Sequence, residues 1–109
     1  RSGAKKVYFA SVSPPLRYPC VYGIDMSTRN EFVATGRDND QIAAEIGADG
    51  VIYQTLENLQ KAVMEGNPEI TQTCGACFSG HYPTGDVDAA RLSAIENERL
   101  VTSAPERRL

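Results

Sequence analysis

The sequence has no tryptophan, a single histidine and only three cysteines among its 109 residues. It also has no excess of positive charge, because it contains 14 acidic and 11 basic side chains and its net charge is −3. A nucleic-acid-binding surface needs a basic patch or stripe, so we expect no nucleic-acid partner. The apolar runs are far shorter than the roughly 20 residues that cross a bilayer, and the first residues lack the pattern of a signal peptide. Three cysteines without a secretory signal therefore predict a reduced, cytoplasmic protein that does not bind a membrane.

The length and the composition fit one small soluble domain with one core. The hydrophobic content of 41% and the charged content of 23% are ordinary for a globular protein. The chain does not begin with methionine, and Gly3 follows closely behind Arg1. This opening indicates a piece cut from a longer protein.

Two segments of the sequence predict β-strands. Residues 5–13 are rich in β-branched and aromatic side chains, and the continuous apolar run 7–10 indicates a strand that is covered on both faces. Residues 50–53 form the second strand, whereas residues 16–26 predict an irregular, partly extended segment. Since two strands cannot form a viable sheet alone, we expect further strands from upstream sequence.

Capping residues mark the predicted helices. The first three begin after Thr28, Asp38 and Thr55 and end near Gly36, Gly47 and Gly66. Their apolar stripes predict inward-facing Phe32, Val33, Ile42, Ile46, Leu56, Leu59, Ala62 and Val63. A last helix covers residues 89–100 through Leu92, Ile95 and Leu100, and a polar tail without regular structure follows from residue 102. The order of strands and helices predicts an α/β fold with parallel strands.

The spacing with the clearest chemical meaning is Cys74-Gly75-Ala76-Cys77. Two thiolates separated by two small residues can turn toward one metal centre. Two unrelated loop thiols or a thioredoxin-like redox pair would give the same spacing, although the latter belongs at the start of a helix after a strand. Cys20 could join the pair, and His81 could complete a zinc site of three cysteines and one histidine. The surrounding residues 67–88 show little periodicity and predict an ordered loop held by something other than packing.

A longer pattern connects these residues. The segment Arg17-Tyr18-Pro19-Cys20-Val21-Tyr22-Gly23-Ile24-Asp25-Met26 resembles the stretch after the phosphoribosylpyrophosphate loop in glutamine phosphoribosylpyrophosphate amidotransferases. Residues 3–8, 13–15 and 45–50 and the run from Cys74 to Thr84 match the same family in the same order. The resemblance covers residues 3 to about 85, which is far more specific than any single motif.

The resemblance implies an enzyme with two halves, of which this chain holds the end of the second. A glutaminase domain releases ammonia, and a type I phosphoribosyltransferase domain of the α/β class joins it to phosphoribosylpyrophosphate with Mg²⁺, giving phosphoribosylamine for purine synthesis. The chain carries neither a nucleophilic N-terminal cysteine nor an acidic pair that runs into a Gly-Thr-Thr loop, so we expect both catalytic centres, and the Mg²⁺, upstream. Residues 1–88 would be the C-terminal part of the phosphoribosyltransferase domain, a partial parallel sheet with flanking helices, and residues 89–109 a terminal helix and tail. We expect a homo-oligomer that acts on small-molecule substrates, and a fragment that is inactive alone.

The resemblance also implies a metal site. One branch of the family holds a 4Fe–4S cluster on four cysteines, three of which match Cys20, Cys74 and Cys77, while the fourth would lie upstream. Phe32 matches an apolar position that lines the ammonia channel, although its helical placement favours a core residue. Two other classes remain open, namely a stand-alone structural module that binds zinc or an iron–sulfur cluster, and a flavodoxin-like nucleotide-binding fragment.

Overall fold

The computed structural model describes residues 2–103, which form a small parallel sheet with flanking helices. Strand β1 is Tyr8–Ser11 and strand β2 is Gly50–Tyr53. The two strands pair in parallel, from Tyr8 opposite Gly50 to Ser11 opposite Tyr53. The partial parallel sheet with flanking helices that the sequence predicts is therefore confirmed. The second strand has the predicted bounds, while β1 occupies only the middle of the predicted segment.

The connection between the strands contains a 3₁₀ helix, Arg29–Glu31, and helix α1, Asn39–Ile46. Both begin as the capping pattern predicts, because the side chains of Glu31 and Gln41 accept hydrogen bonds from the backbone NH groups of Thr28 and Asp38. The predicted end of the first helix near Gly36 is wrong, because it stops at Glu31 and Phe32 has an extended backbone. Helix α1 ends at Gly47, whose φ of 72° lies in the left-handed region that glycine tolerates. A core cluster of Ala34, Ile42, Ala43 and Val51 joins this connection to β2.

The sheet is more open than its sequence predicts. The apolar run in β1 indicates a strand that is covered on both faces, but Tyr8 is 62% exposed and Phe9 48% exposed. Ile52 on β2 is 62% exposed as well. The prediction of two covered faces is wrong for the described chain, because α1 packs against the sheet on one side only and no further strand lies beside β1 or β2 among residues 2–103.

Helix α2, Leu56–Glu65, follows β2 with the predicted start and end. Thr55 caps it, and its side-chain oxygen accepts a hydrogen bond from the NH group of Asn58 at 3.2 Å. The predicted inward face is amphipathic but not buried, since every residue of α2 remains partly or fully exposed and Val63 is 45% exposed. Ile46 of α1 is also 45% exposed rather than inward-facing.

Two helices complete the described chain. Helix α3, Ala76–Ser79, is a single turn that the sequence analysis assigned to a loop, and helix α4, Ala89–Ser103, runs three residues beyond its predicted end. A second core cluster unites Ala76, Tyr82 and Leu92, so residues 76–82 are held by packing, contrary to the prediction. The tail prediction is wrong for Thr102, which is helical, and its remainder at residues 104–109 lies outside the described residues. None of the helices within residues 2–103 is long and apolar enough to cross a membrane.

Candidate functional site

The three cysteines border a single cavity, which we call the cysteine cavity. It has a volume of about 540 Å³. Its other walls are mostly apolar, and the complete lining is Leu16, Cys20, Tyr22, Ile24, Met26, Cys74, Ala76 and Cys77. Residues separated by more than 50 positions in the sequence thus face one space, as the resemblance implies for Cys20 and the Cys74–Cys77 pair.

Backbone hydrogen bonds bring the Cys20 segment to α3. The carbonyl oxygen of Cys77 accepts hydrogen bonds from the NH groups of Arg17 at 3.0 Å and Tyr18 at 3.1 Å. One turn later, the buried Tyr82 hydroxyl donates to the carbonyl oxygen of Pro19 at 2.6 Å. These contacts satisfy backbone groups that would otherwise be unpaired at the protein interior, so they hold both walls of the cavity in register.

A close approach at Gly80 tightens the same arrangement. Gly80 ends α3 with a φ of 75°, and a Cβ atom there would lie 2.8 Å from the ring of Tyr18. Both the left-handed backbone and the lack of space demand glycine at this position. The Tyr18 ring can therefore lie over the end of α3, beside the second core cluster.

The three thiols differ in their surroundings. Cys74 is exposed, whereas Cys20 and Cys77 are half-buried, and all three are free. Burial raises the pKa of the Cys77 thiol. The sulfur of Cys20 accepts a weak hydrogen bond from the NH group of Tyr22 at 3.4 Å. The backbone NH group of Cys20 in turn approaches the Met26 sulfur at 3.2 Å. The cavity thus presents soft sulfur atoms in an apolar setting.

His81 does not share the cysteine cavity. It is exposed and lines another space with Gln60, Met64, Thr71, Gln72, Thr73 and Pro83. Within residues 2–103, no group of three or more His, Cys, Asp or Glu side chains is close enough to hold one metal ion. Since zinc sites place every ligand about 2–2.3 Å from the metal, the zinc site of three cysteines and His81 is not assembled.

A second cavity lies at the ends of the strands, and we call it the strand-end cavity. Its volume is about 270 Å³, and it is lined by Phe9, Ser11, Leu16, Phe32, Val33, Ala34 and Tyr53. Ser11 and Tyr53 are the last residues of β1 and β2. In open α/β sheets, ligands bind at this carboxyl edge. Phe32 forms part of this wall and is only 9% exposed, as expected of a core residue, while its role in an ammonia channel stays a prediction.

The arginine side chain that secures this wall was not singled out in the sequence. Arg17 donates from Nη1 to the carbonyl oxygen of Ala34 at 2.5 Å and toward that of Arg37 at 3.5 Å. Arg29 likewise binds Glu96 across 67 positions of sequence. No local pattern marks either arginine, because each partner is a backbone atom or a distant side chain whose position depends on the fold.

The described residues form an α/β unit with a free sheet edge, a cavity at the carboxyl ends of its strands and a cavity lined by thiols. No family model matches the chain. It is 49% identical over 98 residues, 90% of its length, to the amidophosphoribosyltransferase of Pasteurella multocida, and 48% identical over the same length to that of Escherichia coli. The amidophosphoribosyltransferase of Schizosaccharomyces pombe is 45% identical over 84 residues, 77% of the chain.

These alignments cover only part of each relative. They span 19% of the two bacterial enzymes and 15% of the yeast enzyme, so the chain has about a fifth of the length of the curated relatives it matches. Over most of its own length, the chain is homologous to a C-terminal stretch of the amidophosphoribosyltransferases. The resemblance on which the sequence analysis relied is confirmed, and the partial α/β sheet agrees with part of a phosphoribosyltransferase domain.

Proposed function

We propose that this chain is the C-terminal part of an enzyme that makes 5-phosphoribosylamine from phosphoribosylpyrophosphate and glutamine-derived ammonia, the first step of purine nucleotide synthesis. The observation that carries the proposal is the identity of 49% over 90% of the chain to an amidophosphoribosyltransferase. Residues 1–88 then complete the phosphoribosyltransferase domain, and residues 89–109 form its terminal helix and tail. The reaction takes place in the cytoplasm, in a homo-oligomer, with small-molecule substrates and Mg²⁺ bound by upstream residues.

This proposal is tested by comparing the chain with the full-length protein that contains it. With glutamine, phosphoribosylpyrophosphate and Mg²⁺, the full-length protein should release glutamate and form phosphoribosylamine. The chain alone should do neither, because the residues that the resemblance assigns to both centres lie upstream of it. Turnover by the chain alone, or none by the full-length protein, would contradict the proposal.

Within that reaction, the strand-end cavity suits the passage or delivery of ammonia. Ammonia is small and neutral, and an apolar wall built from Phe9, Leu16 and Phe32 offers few polar groups that would bind it. Phe32→Ala in the full-length protein should therefore uncouple glutamine hydrolysis from phosphoribosylamine formation. Phe78→Ala provides a matched control, since Phe78 is half-buried and lies outside this wall. Equal loss of both activities in Phe32→Ala would indicate a core residue only.

The cysteine cavity suits a 4Fe–4S cluster better than a single metal ion. A cluster spreads its cysteine ligands around a core of several atoms, whereas zinc would need them within about 2.3 Å of one point. Cys20, Cys74 and Cys77 supply three thiol ligands on the wall of one cavity, so a fourth must come from outside this chain. A bound cluster would cross-link the Cys20 segment to the start of α3 and add its binding free energy to that of folding.

Iron analysis of the full-length protein, purified without oxygen, tests the cluster. We expect iron and acid-labile sulfide in the wild type and their loss in Cys20→Ser and in Cys77→Ser. Ser79→Ala is the matched control, because Ser79 lies on the same turn of helix as Cys77 but its hydroxyl bonds only the backbone of Gly75 and His81. If the wild-type protein contained no iron, the cluster proposal would be wrong, but the enzymatic proposal would be unaffected.

The rival function is a stand-alone structural metal-binding module. It requires a complete ligand set within the chain, and the only histidine lies in another cavity. Stoichiometric zinc or iron in the purified 109-residue chain would favour this rival.

A further inference from the structure

A single carboxylate on α4 holds the start of the 3₁₀ helix. Glu96 accepts hydrogen bonds from the backbone NH group of Arg29 at 2.9 Å, from Nε at 3.0 Å and from Nη2 at 3.0 Å. The Glu96 side chain is only 14% exposed and that of Arg29 30% exposed, so the pair is partly shielded from water. Although burial alone would raise it, the pKa of Glu96 is lowered by the hydrogen bonds and charge of Arg29. Charge-assisted, two-pronged pairs of this kind fix geometry as well as adding energy.

Arg29 passes this constraint to the wall of the strand-end cavity. Its carbonyl oxygen accepts hydrogen bonds from the NH group of Phe32 at 3.2 Å and from the hydroxyl of Thr35 at 2.6 Å. The NH group of Thr35 in turn binds the carbonyl oxygen of Phe32 at 3.2 Å. Glu96 is therefore joined through Arg29 to the backbone of Phe32 and to the hydroxyl of Thr35.

Two further contacts anchor α4 so that it can act as a support. Leu92, one turn before Glu96, is 5% exposed and packs with Ala76 and Tyr82. Arg99, one turn after Glu96, forms an ion pair with Asp25 at 2.5 Å. The buried Leu92 thus fixes α4 to the second core cluster one turn before Glu96, while the Arg99–Asp25 pair is largely exposed and adds a weaker contact one turn after it.

We propose that Glu96 and Arg29 form a positioning pair, through which α4 sets the place of Phe32 in the strand-end cavity and so keeps ammonia transfer coupled to phosphoribosylamine formation. This inference rests on the proposed function. It assigns a part in the reaction to α4, which lines neither of the two cavities. Neither Arg29 nor Glu96 lines either cavity, so in this proposal both act only through Phe32.

The full-length protein tests this assignment when glutamine and ammonium salt are compared as nitrogen sources. In Glu96→Ala, we expect the amount of phosphoribosylamine formed per glutamine hydrolysed to fall roughly tenfold. A misplacement of about 1 Å caused by a mutation far from the chemistry can cost on the order of 100-fold, so a roughly tenfold loss corresponds to a smaller displacement of Phe32. The rate of synthesis from added ammonium salt should stay near that of the wild type, because the phosphoribosyltransferase centre itself is unchanged. A purely structural role would lower both rates together.

A matched control and a second variant make the outcome decisive. Glu98→Ala removes an exposed carboxylate from the same helix and should leave the ratio unchanged. Arg29→Lys keeps the charge but loses the fork that binds both carboxylate oxygens, so it should uncouple in the same direction even if Glu96→Ala fails to fold. Normal coupling in either folded variant, or parallel loss with both nitrogen sources, overturns the inference. If the wild type makes no phosphoribosylamine from either source, the proposed function fails instead.

Discussion

The two regions of this small molecule hold together in different ways. The sheet region, made of β1, α1 and β2, depends on apolar contacts among Ala34, Ile42, Ala43 and Val51. The helical region, made of residues 16–31, α3 and α4, combines its apolar cluster with hydrogen bonds and ion pairs between segments more than 60 positions apart, such as Arg29–Glu96 and Tyr82–Pro19.

The difference indicates where the rest of a larger protein would attach. Tyr8, Phe9 and Ile52 leave apolar side chains uncovered on the sheet region, and uncovered apolar surface of sufficient size marks an interface. In the helical region, Arg29 pairs with Glu96 and Tyr82 with Pro19, and no buried side-chain nitrogen or oxygen among the described residues lacks a hydrogen-bond partner. We therefore expect upstream sequence to cover the sheet and to leave the bonds of α4 as they are.

We expect the sheet region to lose the most stability when Ile42 is replaced. This side chain is 1% exposed, and its replacement by Ala should cost about 2–5 kcal/mol because the cavity left behind cannot fully collapse. Hydrogen exchange of the full-length protein, followed by mass spectrometry, should show faster exchange in β1 and β2. Ile46→Ala is the matched control, one turn along α1 and 45% exposed, and should cost about 1 kcal/mol or less. Equal effects of the two substitutions would mean that upstream sequence buries Ile46 as deeply as Ile42.

The helical region should respond instead to the loss of one polar atom. Tyr82 is 4% exposed, and burial raises its pKa to about 12, so its hydroxyl remains a donor to Pro19 at any physiological pH. Tyr82→Phe leaves a carbonyl oxygen without its partner and should cost about 1–3 kcal/mol. The expected readout is faster exchange in α3 and α4, with β1 and β2 unchanged.

Tyr22 offers the control for this substitution. Its ring centroid lies 6.1 Å from that of Tyr82, but the residue is 44% exposed and its hydroxyl bonds the exposed Thr84. Tyr22→Phe should therefore change the free energy of unfolding by about 0.5 kcal/mol or less. A larger effect for Tyr22 than for Tyr82 would show that the exposed network, and not the buried bond, stabilises the helical region.

Local signals were sufficient for the parts of the fold whose causes are local. The caps at Asp38 and Thr55, the left-handed stop at Gly47 and the strand at 50–53 depend on neighbouring residues, so pattern and propensity find them. Burial was predicted less well. Ile46 and Val63 lie at apolar positions of their helices, yet each is 45% exposed within the described chain, because burial depends on what covers a face.

The cysteine cavity likewise combines a feature that the local sequence shows with one that depends on the fold. The spacing of Cys74 and Cys77 is visible in the sequence, but the approach of Cys20 depends on the bonds from Arg17 and Tyr18 to the Cys77 carbonyl, which no spacing reveals. Only the resemblance to a known family indicated that approach in advance. The single turn of α3 was missed because four residues are too few to show a helical period.

The last prediction concerns the acid sensitivity of the helical region. The pKa of Glu96 in the folded protein is below its usual value of 4.5, because the bonds and charge of Arg29 outweigh the burial that would raise it. A depressed carboxyl pKa contributes stability that is fully present above the unfolded pKa and is lost as pH falls through the folded one. Glu96→Gln should therefore destabilise α4 by about 1 kcal/mol at pH 7, and the difference from the wild type should shrink below pH 4.5.

The measurement is the ratio of exchange rates in α4 between variant and wild type at pH 7 and at pH 4, since intrinsic exchange chemistry cancels in the ratio. Glu57→Gln is the control, because Glu57 also pairs with a cation, Lys61, at 2.7 Å, but both side chains are at least 70% exposed. Exposed pairs contribute little, so this ratio should stay near one at both pH values. The ratio for Glu96→Gln could instead be as large at pH 4 as at pH 7. The carboxylate charge would then contribute nothing to the stability of α4. Of the two polar contacts, only the Tyr82 hydrogen bond would still distinguish the helical region from the apolar sheet region.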